Sequence, residues 1–176
     1  PLLGWQIPII TDSNHQKAKI LNIDKYKIKQ YLKDYDVIVI AGFQGIDIYG
    51  YITSLGRGGS DTTAVAIAAA VNADRCDIYT DVDGVYTADP RLVANALKLE
   101  TITFEEMLEL ASQGAKVLQT RSVALAMNYN VKLQVLSSFE NKTGTFIINE
   151  RQKNMEETII SGITYTLNEA KITYLM

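Results

Sequence analysis

The stretch from Thr53 to Val71 constrains the fold of this chain most strongly. It places three glycines around one arginine, in the string TSLGRGGSDTT, directly before the apolar run AVAIAAAV at Ala64–Val71. Glycines permit left-handed turns, and the first turn of a helix carries free N–H groups that favour anions. Because the run after the turn is apolar nearly all round, it predicts a central, buried helix that packs closely through small side chains.

This glycine turn admits two interpretations. It is either an anion-binding site or a structural turn of the kind that often precedes a helix. The string is no Walker loop, since no Lys-Ser or Lys-Thr follows the last glycine, and its glycine spacing does not fit a dinucleotide fingerprint. On the anion-site interpretation, Arg57 is a candidate clamp for a carboxylate or phosphate, Ser60 a candidate N-cap, and Asp61 an acid suited to the helix dipole or to catalysis.

Composition excludes several classes of protein. The 176 residues suffice for one well-packed domain with a small appendage, and the longest apolar run, Ala64–Val71, is far too short to span a membrane. A net charge of −3 argues against a nucleic-acid or anionic-membrane partner, since both require a basic face.

The single cysteine, Cys76, excludes an internal disulfide, is expected in the core and fits a reducing cytoplasm. The single histidine, His15, is expected in a surface turn without a metal role.

Hydrophobic periodicity predicts strands and helices that alternate over most of the chain, which favours an α/β sandwich with a mainly parallel sheet. The strand Asp36–Ala41 is β-branched throughout and is predicted to be buried on both faces, and Ile46–Thr53 is predicted to form a hairpin or lid over the sheet edge. Further strands are predicted at Ile7–Thr11, Ala18–Ile23, Asp77–Thr80, Lys132–Leu136 and Thr143–Ile148. Helices are predicted after Asp24, after the glycine turn, after Thr103 with a capping box to Glu106, and from Ser122.

The segment from Asp81 to Arg91, DVDGVYTADPR, follows a predicted strand at the same sheet edge. On one interpretation its Asp-Gly and Asp-Pro pairs are only turn formers. On the other it is the lip of a nucleotide site, in which Tyr86 packs on a ring or ribose, the aspartates bind ribose or magnesium, and Arg91 contacts phosphate. Lys116, beyond a glycine break, is either a phosphate contact or a solvated surface lysine.

The C-terminal part of the chain predicts a domain boundary. The polar segment 149–157, NERQKNMEE, reads as a linker after a first domain at residues 1–148. Residues 158–176 contain two short strand patterns, too little to bury a core, and therefore predict the start of a second domain. Since the sequence opens on Pro1 in an apolar stretch, we expect a piece of a longer protein.

Several strings in one order resemble the aspartate kinases of the amino acid kinase superfamily. These strings are GWQIPIITDSNH, VIVIAGFQG, TSLGRGGSDTTAVAIAAA, YTDVDGVYTADPR, EEMLELASQGAKVLQTRSV and SSFENKTGT. The resemblance covers nearly the whole chain and implies the three-layer αβα sandwich of the amino acid kinase fold. It also implies ATP-dependent phosphorylation of the β-carboxylate of L-aspartate, the first step toward lysine, threonine and methionine. The implied cofactors are ATP and Mg²⁺, and the implied setting is a cytoplasmic homo-oligomer.

The resemblance also implies roles for individual residues. Asp61 and Lys116 correspond to catalytic residues, and no residue of this chain corresponds to a metal ligand. The implied aspartate-binding residues are Arg57, Gly58, Gly59 and Ser60. The implied ATP-binding residues are Thr80, Asp81, Asp83, Tyr86, Arg91, Lys116 and Val117. Residues 158–176 resemble the first strands of an ACT regulatory domain, through which lysine, threonine or both would act.

The sequence also departs from the family pattern. A Lys-Phe-Gly-Gly segment with a catalytic lysine is absent from it, and Gln119 and Leu136 stand where many relatives have a histidine and an arginine. The 176 residues are therefore expected to carry the nucleotide side and only part of the phosphoryl-transfer machinery. Two alternatives stay open: another kinase of the superfamily, acting on glutamate, acetylglutamate or uridylate, or a non-catalytic fragment that binds nucleotide or assembles with a missing portion.

Overall fold

A computed structural model describes residues 1–115, 117–149 and 162–165 of the chain. These residues form two four-stranded sheets and four α-helices, so the predicted α/β fold is confirmed. The strands are β1 (Ile9–Thr11), β2 (Ile20–Ile23), β3 (Gln44–Ile46), β4 (Ile52–Ser54), β5 (Cys76–Thr80), β6 (Thr101–Thr103), β7 (Leu133–Ser137) and β8 (Thr145–Ile148). The helices are α1 (Lys25–Asp34), α2 (Gly59–Val71), α3 (Phe104–Ser112) and α4 (Thr120–Asn128).

Both sheets mix parallel and antiparallel pairs. The first has the order β2-β1-β3-β4, with β1 parallel to β3 and antiparallel to β2, and with β3 and β4 antiparallel. The second has the order β5-β7-β8-β6, with β5 parallel to β7, β6 parallel to β8, and β7 antiparallel to β8. The sheets are thus less parallel than predicted. Short loops at 47–51 and 138–144 join β3 to β4 and β7 to β8, and a short loop can join only antiparallel neighbours, because parallel neighbours need a longer crossover connection.

Helix α2 is buried between two apolar clusters, as its alanine-rich sequence predicts. Val65 and Ala68 belong to the larger cluster, whereas Ala66 belongs to the smaller one. The larger cluster is built around Phe104, Met107, Leu133 and Ile147, and the smaller around Ile7, Ile9 and Ile28. Small side chains let the backbone of α2 approach both, so the helix that the glycine turn starts is held from opposite sides.

The prediction that Asp36–Ala41 is a strand buried on both faces is wrong for the described residues. Only Ile40 is paired, through an isolated parallel bridge to Leu2, and the side chains of Val37 and Val39 are 77% and 62% exposed. A β-branched run favours extended backbone, but burial requires neighbouring elements on its edges and faces. Among the described residues, Leu2 alone pairs with it.

Other local predictions are confirmed. Asp24 caps α1 by accepting hydrogen bonds from the amides of Tyr26 and Lys27, and Thr103 forms the predicted capping box with Glu106. Cys76 is buried, and burial raises the pKa of its thiol to about 11, so it is an inert core residue. His15 lies in an exposed turn.

The C-terminal predictions lie largely outside the described residues. This holds for the linker from 150 onward and for most of the two predicted ACT strands; the described part, 162–165, is not in a strand. Within residues 1–115, 117–149 and 162–165, no helix has the length and apolar character required to cross a membrane.

Candidate functional site

The first part of the site is the glycine loop, residues 56–61, which includes the start of α2. Gly58 is the N-cap and has φ +70°, and a Cβ atom there would lie 2.1 Å from Cγ of Gln119. The prediction that Ser60 is the N-cap is therefore wrong, because the left-handed glycine starts the helix earlier and leaves Ser60 inside the first turn. No side chain caps this end, and the amides of Ser60 and Asp61 have no acceptor within the described part of the chain.

Two threonines fix the backbone of this loop. The hydroxyl of Thr62 donates to the carbonyl of Gly58 at 2.9 Å, and the hydroxyl of Thr63 donates to the carbonyl of Gly59 at 2.8 Å. The Thr63 hydroxyl also accepts from the amide of Phe43 at 3.1 Å. The loop is therefore held by its own helix and by the chain segment that precedes β3. Its free amides are thus fixed in position before any ligand binds.

The charges of the glycine loop suit an anionic ligand. Arg57 is exposed and has no hydrogen bond or ion pair among the residues that the structure describes. Asp61 is half-buried, and burial raises the pKa of its carboxyl although a hydrogen bond with Ser60 opposes this. An available guanidinium beside the positive end of a helix is an arrangement that binds carboxylates and phosphates.

The second part of the candidate site is residues 80–91, the segment after β5 that the sequence predicts to bind nucleotide and that we call the nucleotide loop. Strand β5 ends at Thr80 beside the end of β7 at Ser137, and these two residues are paired in parallel register. An open groove of about 300 Å³ lies at this edge between Tyr79 and residues 137–141. Tyr79 and Phe139 are 65% and 81% exposed, so the groove presents two aromatic surfaces next to the loop.

Asp83 organises the middle of the nucleotide loop. It accepts a hydrogen bond from the hydroxyl of Tyr86 at 3.0 Å and one from the ammonium of Lys98 at 3.3 Å. Burial opposes ionisation of Asp83, but these bonds outweigh it and lower the pKa of the carboxyl. Lys98 was missed in the sequence analysis, since a lysine in the string LKLE carries no motif signal.

The end of the nucleotide loop is a tight turn. Asp89 accepts from the amide of Arg91 and binds its guanidinium at 3.0 and 2.7 Å, which lowers the pKa of Asp89 to about 2. This agrees with the turn-former interpretation of the Asp-Pro pair. The Arg91 side chain is 83% exposed, so it also remains accessible to a ligand.

The described carboxylates do not build a magnesium site. No group of three or more His, Cys, Asp or Glu side chains in the described ranges is arranged to hold a metal ion. One oxygen of Asp83 accepts from the hydroxyl of Tyr86 and the other from the ammonium of Lys98. Asp81 accepts a hydrogen bond from the hydroxyl of Thr80 at 3.0 Å. The described side chains therefore form no all-protein cage for Mg²⁺.

The structure does not join the two loops directly. Among the described residues, no hydrogen bond or ion pair links residues 56–61 with residues 80–91. Lys116 lies outside the described residues, and Val117 packs, partly buried, against the larger apolar cluster. Gln119 occupies the N-cap position of α4 without a capping hydrogen bond from its side chain, and it lies against Gly58. The segment that follows Lys116 therefore contacts the glycine loop.

Comparisons with known proteins place the chain in a family. The family model described as the amino acid kinase family matches residues 2–137. The chain is 61% identical over 170 residues to an aspartate kinase of Pseudomonas putida, a match that covers 97% of the chain and 41% of the relative. It thus spans about two fifths of that relative's length.

Two solved structures of Escherichia coli aspartokinase III are also similar. The R-state, in complex with aspartate and ADP, matches with a TM-score of 0.74 at 33% identity, over 86% of this chain and 35% of that chain. The T-state, in complex with lysine and aspartate, matches with a TM-score of 0.71 at 33% identity, over 86% and 36%. The resemblance to aspartate kinases stated from the sequence strings is confirmed. The chain belongs to the amino acid kinase family.

Proposed function

We propose that the full-length protein phosphorylates the β-carboxylate of L-aspartate with ATP to give 4-phospho-L-aspartate, an early step of lysine, threonine and methionine biosynthesis. The observation that carries this proposal is the 61% identity to the Pseudomonas putida aspartate kinase over 97% of the chain. Acceptors such as glutamate, acetylglutamate and uridylate are not favoured, since the two similar E. coli structures are aspartokinases and one of them contains aspartate and ADP.

The glycine loop is the proposed aspartate site. Arg57 would bind a carboxylate of the substrate, with Gly58, Gly59 and Ser60 around it, and the open amides at the start of α2 support this assignment. A carboxylate is already a nucleophile at neutral pH and needs no general base. The site must instead align two anions and offset their mutual repulsion, which rigid amides and a guanidinium can do.

The nucleotide loop is the proposed ATP site. The proposed contacts are Thr80, Asp81, Asp83, Tyr86, Arg91, Lys116 and Val117. The groove beside Thr80, with its exposed Tyr79 and Phe139, supports a planar ring at this edge of the sheet. We propose that Mg²⁺ is held chiefly by the phosphates of ATP, because the described carboxylates offer no dedicated site. Asp61 would orient cationic groups beside the transferred phosphoryl group.

We further propose a catalytic domain at 1–148, a linker at 149–157 and the start of an ACT domain at 158–176 that responds to lysine, threonine or both. Strand β8 ends at Ile148, which supports the first boundary. The amide of Ile163 donates to the carbonyl of Thr87 at 2.7 Å, so the proposed regulatory segment touches the nucleotide loop. The lysine complex of E. coli aspartokinase III supports lysine as an effector. Assembly into a homo-oligomer stays a prediction.

An aspartyl-hydroxamate assay tests the proposed reaction. With ATP, magnesium and hydroxylamine, the full-length protein is expected to form hydroxamate from L-aspartate and not from L-glutamate or N-acetylglutamate. Formation from either of the other two acids but not from aspartate would contradict the proposal. The same assay on the 176-residue chain tests the alternative of a non-catalytic fragment, for which no product is expected.

Replacing Lys116 with alanine is expected to act on the nucleotide. The KM for ATP should rise and kcat should fall, since an ammonium facing the phosphates offsets charge in both bound ATP and the transition state. Lys29→Ala, at an exposed position of α1, is a control that should leave both constants within about twofold of the parent values. If Lys116→Ala behaves like this control, Lys116 is not part of the site.

A further inference from the structure

We propose that Arg121 is a positioning residue that holds the glycine loop so that Arg57 faces the carboxylate of the substrate. The proposal rests on the proposed function, in which Arg57 binds aspartate. Arg121 itself belongs to α4 and lies in the first turn of that helix.

The guanidinium of Arg121 joins two separate segments of backbone. Nη1 donates to the carbonyl of Leu55 at 2.8 Å, and Nη2 donates to the carbonyl of Ala18 at 2.7 Å. Leu55 and Ala18 are 1% and 0% exposed, so both bonds end in the interior. Within the described residues no carboxylate pairs with Arg121. The rigid guanidinium of Arg121 therefore donates to two backbone carbonyls rather than to a carboxylate side chain.

These carbonyls belong to the segments that carry the glycine loop. The amide of Ala18 donates to the carbonyl of Ser54 at 3.0 Å, which pairs the two segments just before the loop begins. The amide of Leu55 donates to Phe43 at 3.0 Å, while its carbonyl accepts from Arg121. Both peptide groups of Leu55 are thus fixed, and Arg57 follows only two residues later.

Gln119, the residue just before α4, lies against the glycine that follows Arg57. The side chain of Gln119 covers Gly58, where a Cβ atom would lie 2.1 Å from it. The backbone is therefore fixed on both sides of Arg57. Before it, Arg121 holds the carbonyl of Leu55, and after it, Gln119 lies against Gly58. A cation in the first turn of a helix is disfavoured by the helix dipole, and its two backbone carbonyls offset this. The arrangement makes the placement of Arg57 depend on α4.

A double-mutant cycle in the full-length protein tests this dependence. Arg121→Met and Arg121→Lys are each made in the parent and in an Arg57→Ala background, and the KM values for aspartate and ATP are measured with thermal unfolding alongside. In the parent, Arg121→Met is expected to raise the aspartate KM about tenfold, and Arg121→Lys, which has no fork to bridge both carbonyls, about threefold. In the Arg57→Ala background each change should be below about twofold, with the ATP KM unaltered.

The outcomes separate the inference from the function on which it rests. An equal rise in both backgrounds, or a matching rise in the ATP KM, would mean that Arg121 supports the fold in general and would overturn the inference. An unchanged aspartate KM in both Arg121 variants would do the same. If Arg121→Met does not fold, the comparison of Arg121→Lys between the two backgrounds decides alone. An unchanged aspartate KM in Arg57→Ala itself would remove Arg57 from the substrate site, and the inference with it.

Discussion

Replacing Arg57 with alanine in the full-length protein is expected to raise the KM for aspartate at least about thirtyfold, corresponding to ~2 kcal/mol of lost binding. Arg57 is the exposed cation of the glycine loop and has no partner among the described residues, so its guanidinium is available to a ligand. The open amides of Ser60 and Asp61 at the start of α2 are available to donate to the same carboxylate. The KM for ATP should stay within about twofold, because the nucleotide loop has no hydrogen bond or ion pair to this loop in the described residues.

Two further variants make this result specific. Arg57→Lys keeps the charge but removes the bidentate fork, and should give an aspartate KM between those of the parent and Arg57→Ala. Arg75→Ala removes an arginine that is half exposed and pairs with Asp77 at the start of β5, remote in sequence from the glycine loop, and should change neither KM. Steady-state kinetics, with aspartate varied at saturating ATP and then ATP varied at saturating aspartate, measure both KM values for all three variants. Similar aspartate KM values in the parent and Arg57→Ala would contradict the assignment of Arg57.

The sequence predicted the parts of the site that depend on neighbouring residues. The glycine spacing before an alanine run predicted the loop and the buried helix α2, because both follow from local backbone freedom and side-chain size. The capping residues Asp24 and Thr103 were predicted for the same reason. The N-cap of α2 was placed at Ser60 and is Gly58, since a left-handed glycine can begin a helix without any side-chain cap.

Contacts between distant segments could not be predicted. Arg121 reaches the carbonyls of Leu55 and Ala18 across 66 and 103 positions, and such side-chain to backbone bonds follow no periodicity. Lys98 binds Asp83 without any motif around it. The exposure of Val37 and Val39 has a similar origin, because burial of a β-branched run depends on what packs against it rather than on the run itself.

Gly144 is expected to be the glycine at which an added methyl group is least tolerated. A Cβ atom at Gly144 would lie 1.6 Å from the carbonyl oxygen of Val135, a backbone atom of the neighbouring strand β7. The next residue, Thr145, pairs with Val135. Relief of the clash therefore requires β8 to move away from β7, which breaks ladder bonds in the core of the second sheet. We expect Gly144→Ala to lower the free energy of unfolding by about 3 kcal/mol.

The same displacement should reach the nucleotide loop. The buried hydroxyl of Thr145 accepts from the amide of Val85 at 2.8 Å and donates to the carbonyl of Leu99 at 2.6 Å, which holds both ends of the segment containing Tyr86 and Lys98. Gly144→Ala should therefore raise the KM for ATP as well as lower the midpoint of thermal unfolding by about 6–12 °C.

Gly42→Ala is the matched control for Gly144→Ala. A Cβ atom at Gly42 meets its nearest neighbour at an ordinary 3.4 Å, and its φ is not positive, so the same substitution adds neither a clash nor backbone strain. Its unfolding midpoint should stay close to that of the parent. If the unfolding midpoint of Gly144→Ala is no lower than that of Gly42→Ala, β7 and β8 can separate at little cost in free energy. The hydrogen bonds of Thr145 with Val85 and Leu99 would then not depend on the register between these two strands. If Gly144→Ala unfolds early but binds ATP as the parent does, the second sheet needs this glycine while the nucleotide loop is held independently of Thr145.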